Sequence, residues 1–102
     1  MSDIKQVRQA LLKRILEGPG RASVSERRAA FDNRDLTRPL DVLINKVAKH
    51  AYRVTDEDIN AAKGAGLSED KIFEIVVCAA VGQASRQHDA ALAAFEAAAG
   101  KD

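Results

Sequence analysis

An all-α fold follows from three features of these 102 residues. Apolar side chains recur at helical spacing, first as Ile4, Val7, Leu11 and Ile15 and later as Leu40, Leu43, Ile44 and Val47. Alanine, the strongest helix former, is abundant, while aromatics make up only 4% of the chain. No stretch alternates β-branched and polar residues with period two, and no Asn-Gly or Asp-Gly pair marks a hairpin.

The first helix is built on Ile4, Val7, Leu11 and Ile15, with Leu12 and Leu16 widening its stripe. Ser2 is placed to cap it, and Asp3 suits its positive end. Gly18-Pro19-Gly20 stops it. Ser23-x-x-Glu26 is a capping box that opens a short helix to about Ala30 or Phe31. A polar connection over 32–38 leads to Pro39, which suits the first turn of a third helix. The buried face expected there is Leu40, Leu43, Ile44, Val47 and Ala51.

Thr55-x-x-Asp58 is a second capping box, with Asp in the usual Glu place, and starts a short helix from Asp56 to about Lys63. Gly64 or Gly66 ends it through a left-handed cap. Ser68 caps the last helix, with Glu69 and Asp70 in its first turn. Residues 72–81 are apolar almost all round, a pattern that normally means burial on most sides. Leu92 and Phe95 carry an apolar stripe toward the C-terminus, and Gly82 leaves open whether the helix is interrupted.

Length and composition bound the function. A chain of this size makes one domain, residues 1–102, with a basic helical part (1–38) and a helical core (39–102). Hydrophobic residues at 46% and charged residues at 30% argue against wholesale disorder. A net charge of only +1 argues against binding nucleic acid by bulk charge. The charge is unevenly spread: residues 1–38 carry nine Lys/Arg against five Asp/Glu, and residues 39–102 seven against ten. The basic part reads either as a surface for nucleic acid or an acidic partner, or as a solvated face paired with the acidic part. Its lack of stacking aromatics apart from Phe31 favours the second.

Cys78 is the only cysteine, so no internal disulfide forms. The longest apolar stretch, 75–81, is too short to span a bilayer. The N-terminus lacks the cationic-then-apolar layout of a signal peptide, so a cytoplasmic location is expected. No phosphate-binding glycine loop and no serine nucleophile elbow is present. His50 and His88 are 38 positions apart, with no close second ligand at either, so neither a metal nor a cofactor is expected.

Residues 47–92 carry a pattern. Val47-Ala-Lys-His50-Ala51-Tyr52-Arg53-Val54-Thr55-Asp56-Glu57-Asp58-Ile59 is followed by the turn Gly66-Leu67-Ser68-Glu69-Asp70 and the apolar, Glu74-containing helix through Val81-Gly82. This resembles the alkylhydroperoxidase D-like, or carboxymuconolactone decarboxylase, family. The resemblance implies a small orthogonal helical bundle that assembles into a homo-oligomer. In the family's redox branch a Cys-x-x-Cys-x-x-x-His motif sits just before this turn, at a helix start that favours thiolate. With the frame set at Gly66-Leu67-Ser68, the two cysteine places fall on Ala51 and Val54, and the histidine place on Asp58. Alanine and valine neither attack a peroxide nor form a disulfide, and Asp58 is explained as the cap partner of Thr55. Cys78 lies in the middle of an apolar helix, where a free cysteine behaves as a small hydrophobe.

Three expectations follow. The first is a non-redox member of this type, a homo-oligomer through residues 69–82 with an accessory or small-ligand-binding role toward a small molecule or protein partner. The second is a decarboxylase-like or peroxidase-like enzyme acting on a small organic acid or lactone, with His50 as general base, Tyr52 as donor and Glu74 as acid–base group. Against it, His50 reads as a residue at a helix C-terminus, Tyr52 as a packed ring, and Glu74 as the ion-pair partner of an N-terminal arginine. The third is an adaptor for nucleic acid or an acidic partner through residues 1–38.

Overall fold

The computed structural model describes residues 2–100, with side chains from residue 4 onward, so the expected caps of Ser2 and Asp3 lie outside the described side chains. These residues form five α-helices and one 3-10 turn, with no strand among them. They are α1 (Ser2–Glu17), α2 (Val24–Asp32), α3 (Leu40–His50), the 3-10 turn Ala51–Arg53, α4 (Asp56–Gly64) and α5 (Glu69–Ala99).

The capping chemistry places the helix starts. Ser23 Oγ accepts the Glu26 N–H at 3.1 Å, and the Glu26 carboxylate accepts the Ser23 N–H at 2.9 Å. Thr55 and Asp58 exchange the same pair of bonds at the head of α4. Ser68 Oγ accepts the Lys71 N–H at 3.2 Å to open α5. Gly66 takes φ +98°, the left-handed conformation that lets the chain leave α4.

The core lies where α2 and α3 pack on the first half of α5. Ala30, Leu43, Ile44, Ile75, Cys78 and Ala79 are buried there, and Ala62 of α4 joins them. Gly82 does not interrupt α5; it lets that helix approach the end of α2, because a Cβ at this position would collide with the Phe31 backbone carbonyl. The buried face of α3 is Leu40, Leu43, Ile44 and Ala48, with Val47 half-buried. Ala51, expected on that face, is exposed, because the chain leaves α3 at His50 and tightens into the 3-10 turn.

Two expected burials do not occur. Residues 72–81 are not covered all round: Ile72, Ile75, Cys78 and Ala79 are buried and Val76, Val77 and Val81 half-buried, while Phe73 and Ala80 are exposed. In α1, Leu16 is buried and Ile15 packs on the core, yet Ile4, Val7 and Leu11 stand in solvent. The cause is length. Helix α5 has 31 residues, about 46 Å at 1.5 Å per residue, and the other helices cover only its first half. From residue 86 to 99 every side chain of α5 is exposed. Helix α1 runs beside this overhang, tied to it by the Arg8–Asp89 ion pair at 3.2 Å. The molecule is accordingly elongated, 55 × 28 × 21 Å, with a radius of gyration of 15.7 Å. About 13 Å is usual for a compact chain of this length.

Candidate functional site

His50 ends α3 and Tyr52 lies in the turn that follows. Their rings meet edge to face with centroids 6.0 Å apart, and Arg53 stacks over the tyrosine at 5.8 Å. Tyr52 is 80% exposed, so it is not the packed ring expected from the sequence. His50 borders an open, polar groove with Lys46, Lys49, Arg53 and Asp41. Glu74 borders a different cavity, of about 200 Å³, together with Arg27 and Cys78. The structure therefore brings His50 and Tyr52 together, while His50 and Glu74 border separate grooves.

Glu74 has a structural partner instead. Its two carboxylate oxygens accept the Arg21 N–H at 2.9 and 2.8 Å, and one also accepts the Ala22 N–H at 3.3 Å. The arginine ion pair expected for Glu74 is replaced by main-chain donors. The turn after Gly18-Pro19-Gly20 points two otherwise unpaired N–H groups at α5, and a carboxylate satisfies both. Gly20 permits this approach, since a Cβ there would run into the Glu74 carboxylate.

Arg27 is the buried charged residue that sequence reasoning missed. Its guanidinium donates to the Ile15 carbonyl at 3.1 Å and to the Ser23 carbonyl at 3.5 Å, joining the end of α1 to the start of α2. Cys78 is 1% exposed, with Sγ 3.8 Å from the Ile15 carbonyl oxygen. Burial pushes its thiol pKa up, and the Glu74 charge adds to that against the opposing pull of Arg27. A thiol in this state is a packing group rather than a nucleophile.

At the three motif places, Ala51 is exposed and carries no reactive group, and Val54 packs against the core. Asp58 accepts the Thr55 N–H at 2.9 Å and receives Lys46 Nζ on both oxygens at 3.0 Å. The Thr55 N–H and Lys46 hold its carboxyl below the usual range. The carboxylate is thus committed to the cap of α4. Among the described residues no group of three or more His, Cys, Asp or Glu is arranged to hold a metal, and no helix is long and apolar enough to cross a membrane.

Several large apolar side chains are exposed among the described residues. A second stripe of α5 lies on the side away from the core, half-buried at Val77 and Val81 and exposed elsewhere: Phe73, Val77, Val81 and Ala84, then His88, Leu92 and Phe95. The steps run four, four, three and repeat, an eleven-residue period that keeps the stripe nearly parallel to the helix axis. Leu11 and Leu12 of α1 border one groove of about 270 Å³ with Val81, Ala84 and His88 of this stripe. The exposed face of α1 thus adjoins the stripe of α5. A second apolar groove, of about 460 Å³, lies where Phe73, Ile72 and Val76 of α5 meet Ile59 of α4. The signal for the stripe was present in the sequence as the eleven-residue period, but the all-round apolar run at 75–81 masked it.

No protein-family model, curated protein or solved structure matches this chain.

Proposed function

We propose that this chain is a non-redox helical protein of the alkylhydroperoxidase D-like type that acts by association. It is a homo-oligomer with an accessory role, and the exposed side of residues 69–82 takes part in the contact. The observation that carries this reading is the second apolar stripe of α5, half-buried at Val77 and Val81 and in solvent at Phe73, Leu92 and Phe95 after the core has used the opposite face. Exposed apolar surface of this extent, continuous along a helix, is the mark of a protein contact rather than of a small-molecule cavity.

Three further observations support it. The places where the family resemblance puts its thiols hold Ala51 and Val54. The remaining thiol, Cys78, is buried with its pKa raised. His50 and Glu74 border separate grooves, which counts against acid–base catalysis by that pair. Basic residues of 1–38 also find acidic or carbonyl partners within the chain, Arg8 on Asp89 and Arg27 on Ile15, which counts against a free nucleic-acid surface.

Peroxide reduction coupled to a dithiol donor tests the non-redox part. The expected turnover is no greater than that of a Cys78→Ala variant; turnover well above that control defeats it. Light scattering of the full chain tests association, with a mass above one chain expected.

A further inference from the structure

We propose that the face formed by α1 and the overhanging half of α5 is the interface of a two-fold dimer, in which α1 of one copy lies across α5 of the other. This rests on the association reading above, names a second copy as the partner, and places the two-fold contact on α1 and on the continuation of the α5 stripe beyond residues 69–82.

Ile4 and Val7 are each 68% exposed and Phe95 71%, with Leu11 and Leu92 also in solvent. Together these five side chains leave on the order of 500 Å² of apolar surface uncovered, at the upper end of the largest patch a monomer usually shows. Pairing the face with itself removes at most about 1,000 Å² from these side chains, the size at which a specific interface begins. The groove between the helices is shallow and open, so its complement is a ridge of side chains on another helix. The net charge of +1 sets little repulsion between two copies.

Charge then selects the orientation. Between residues 4 and 15, α1 carries Lys5, Arg8, Lys13 and Arg14 and no acid. The overhang of α5 carries Asp89 and Glu96 against Arg86. A two-fold axis across the helices sets α1 on α1 and brings one wholly basic segment against another. A two-fold axis parallel to the helices sets α1 on α5, so each basic α1 meets the segment that carries Glu96 and the Arg8-paired Asp89 rather than a second basic helix. That second axis also preserves height along the helices. Within one copy the Arg8–Asp89 pair fixes the heights, so Ile4 of one copy stands level with Leu92 of the partner subunit.

The test is solution mass of the full chain across a wide range of loading, followed by variants on and off the face. The expected mass is twice the 11.0 kDa of one chain. Phe95→Glu and Val7→Glu, at positions already in solvent, are expected to give single-chain mass with an unchanged helical circular-dichroism spectrum. Asn60→Glu, exposed on α4, is expected to keep the dimer. When Ile4→Cys copies are mixed with Leu92→Cys copies, a short bismaleimide is expected to join the two species to each other rather than each to itself. A dimer that survives Phe95→Glu and Val7→Glu, or cross-linking of Ile4→Cys mainly to itself, overturns this interface and leaves the association reading standing. A single-chain mass at every loading overturns both, whether or not the basic, apolar α1 then binds phosphatidylserine vesicles.

Discussion

Gly82, in the middle of α5, lies against the backbone carbonyl of Phe31 at the end of α2. The residue that most lowers the intrinsic stability of a helix sits here because two helices have no room for a methyl group between them. The Gly82→Ala change gains about 1 kcal/mol of helix propensity. It also forces α2 and α5 apart, an overpacking that costs typically 1–3 kcal/mol, and more where backbone must move. The net expectation is a loss of up to about 2 kcal/mol, measured as a lower urea midpoint at unchanged slope.

Glu74 is expected to matter for stability. Replacing it by Gln keeps the shape but removes the charge and one of the two oxygens that hold the turn at Arg21 and Ala22. Hydrogen bonds to charged groups contribute about 1.5–3 kcal/mol, so a loss in that range is expected for Glu74→Gln. Hydrogen exchange separates this from a general weakening: the Arg21 and Ala22 amides should exchange faster than those in α3.

Acid should weaken the fold. The Thr55 N–H and Lys46 hold the Asp58 carboxyl down, and Lys63 does the same for Glu69. Partial burial pushes Glu26 up, but the Ser23 N–H and Lys71 outweigh it and hold it down. Depressed carboxyls bind fewer protons folded than unfolded. Their contribution is therefore fully present above the ordinary values of about 3.9 for Asp and 4.3 for Glu, and fades as pH falls through the lower folded values. The urea midpoint should drop progressively below about pH 4.5. Asp58→Asn, which can still cap α4, should make that drop shallower.

Cys78 should resist thiol reagents while the chain is folded. Its burial and raised pKa leave little accessible thiolate. Labelling by an aromatic disulfide reagent is expected to be slow in buffer and to reach the rate of a free cysteine in denaturing urea. Fast labelling of the native chain would show that α1 lifts off Cys78.

The helix boundaries were legible because capping is local. Ser23 with Glu26, Thr55 with Asp58, and the left-handed Gly66 each act within a few residues, and each appears where the spacing places it. The role of Asp58 as a cap was legible for the same reason. The partners of Glu74 were not, since Arg21 lies 53 positions away and contributes its main chain, which a side-chain pattern does not report. Periodicity identified the apolar face of α1 correctly, yet it says nothing of whether a neighbour is long enough to cover it. Ile4 and Val7 outrun the body of the protein, and that is a fact about the relative lengths of helices. The exposure of Tyr52 was hidden by the same gap, because the 3-10 turn after His50 swings it away from α3.

Residues 90–99 of α5 are mostly alanine and are helical with no covering layer. Alanine gives up no rotamer freedom on entering a helix, so backbone bonding alone can hold this rod straight. In the proposed dimer, each copy would meet there a helix already in its final form. Encounter is then governed by diffusion and angle of approach, which makes docking quick and lets the strength of the contact be tuned mainly through how fast it comes apart.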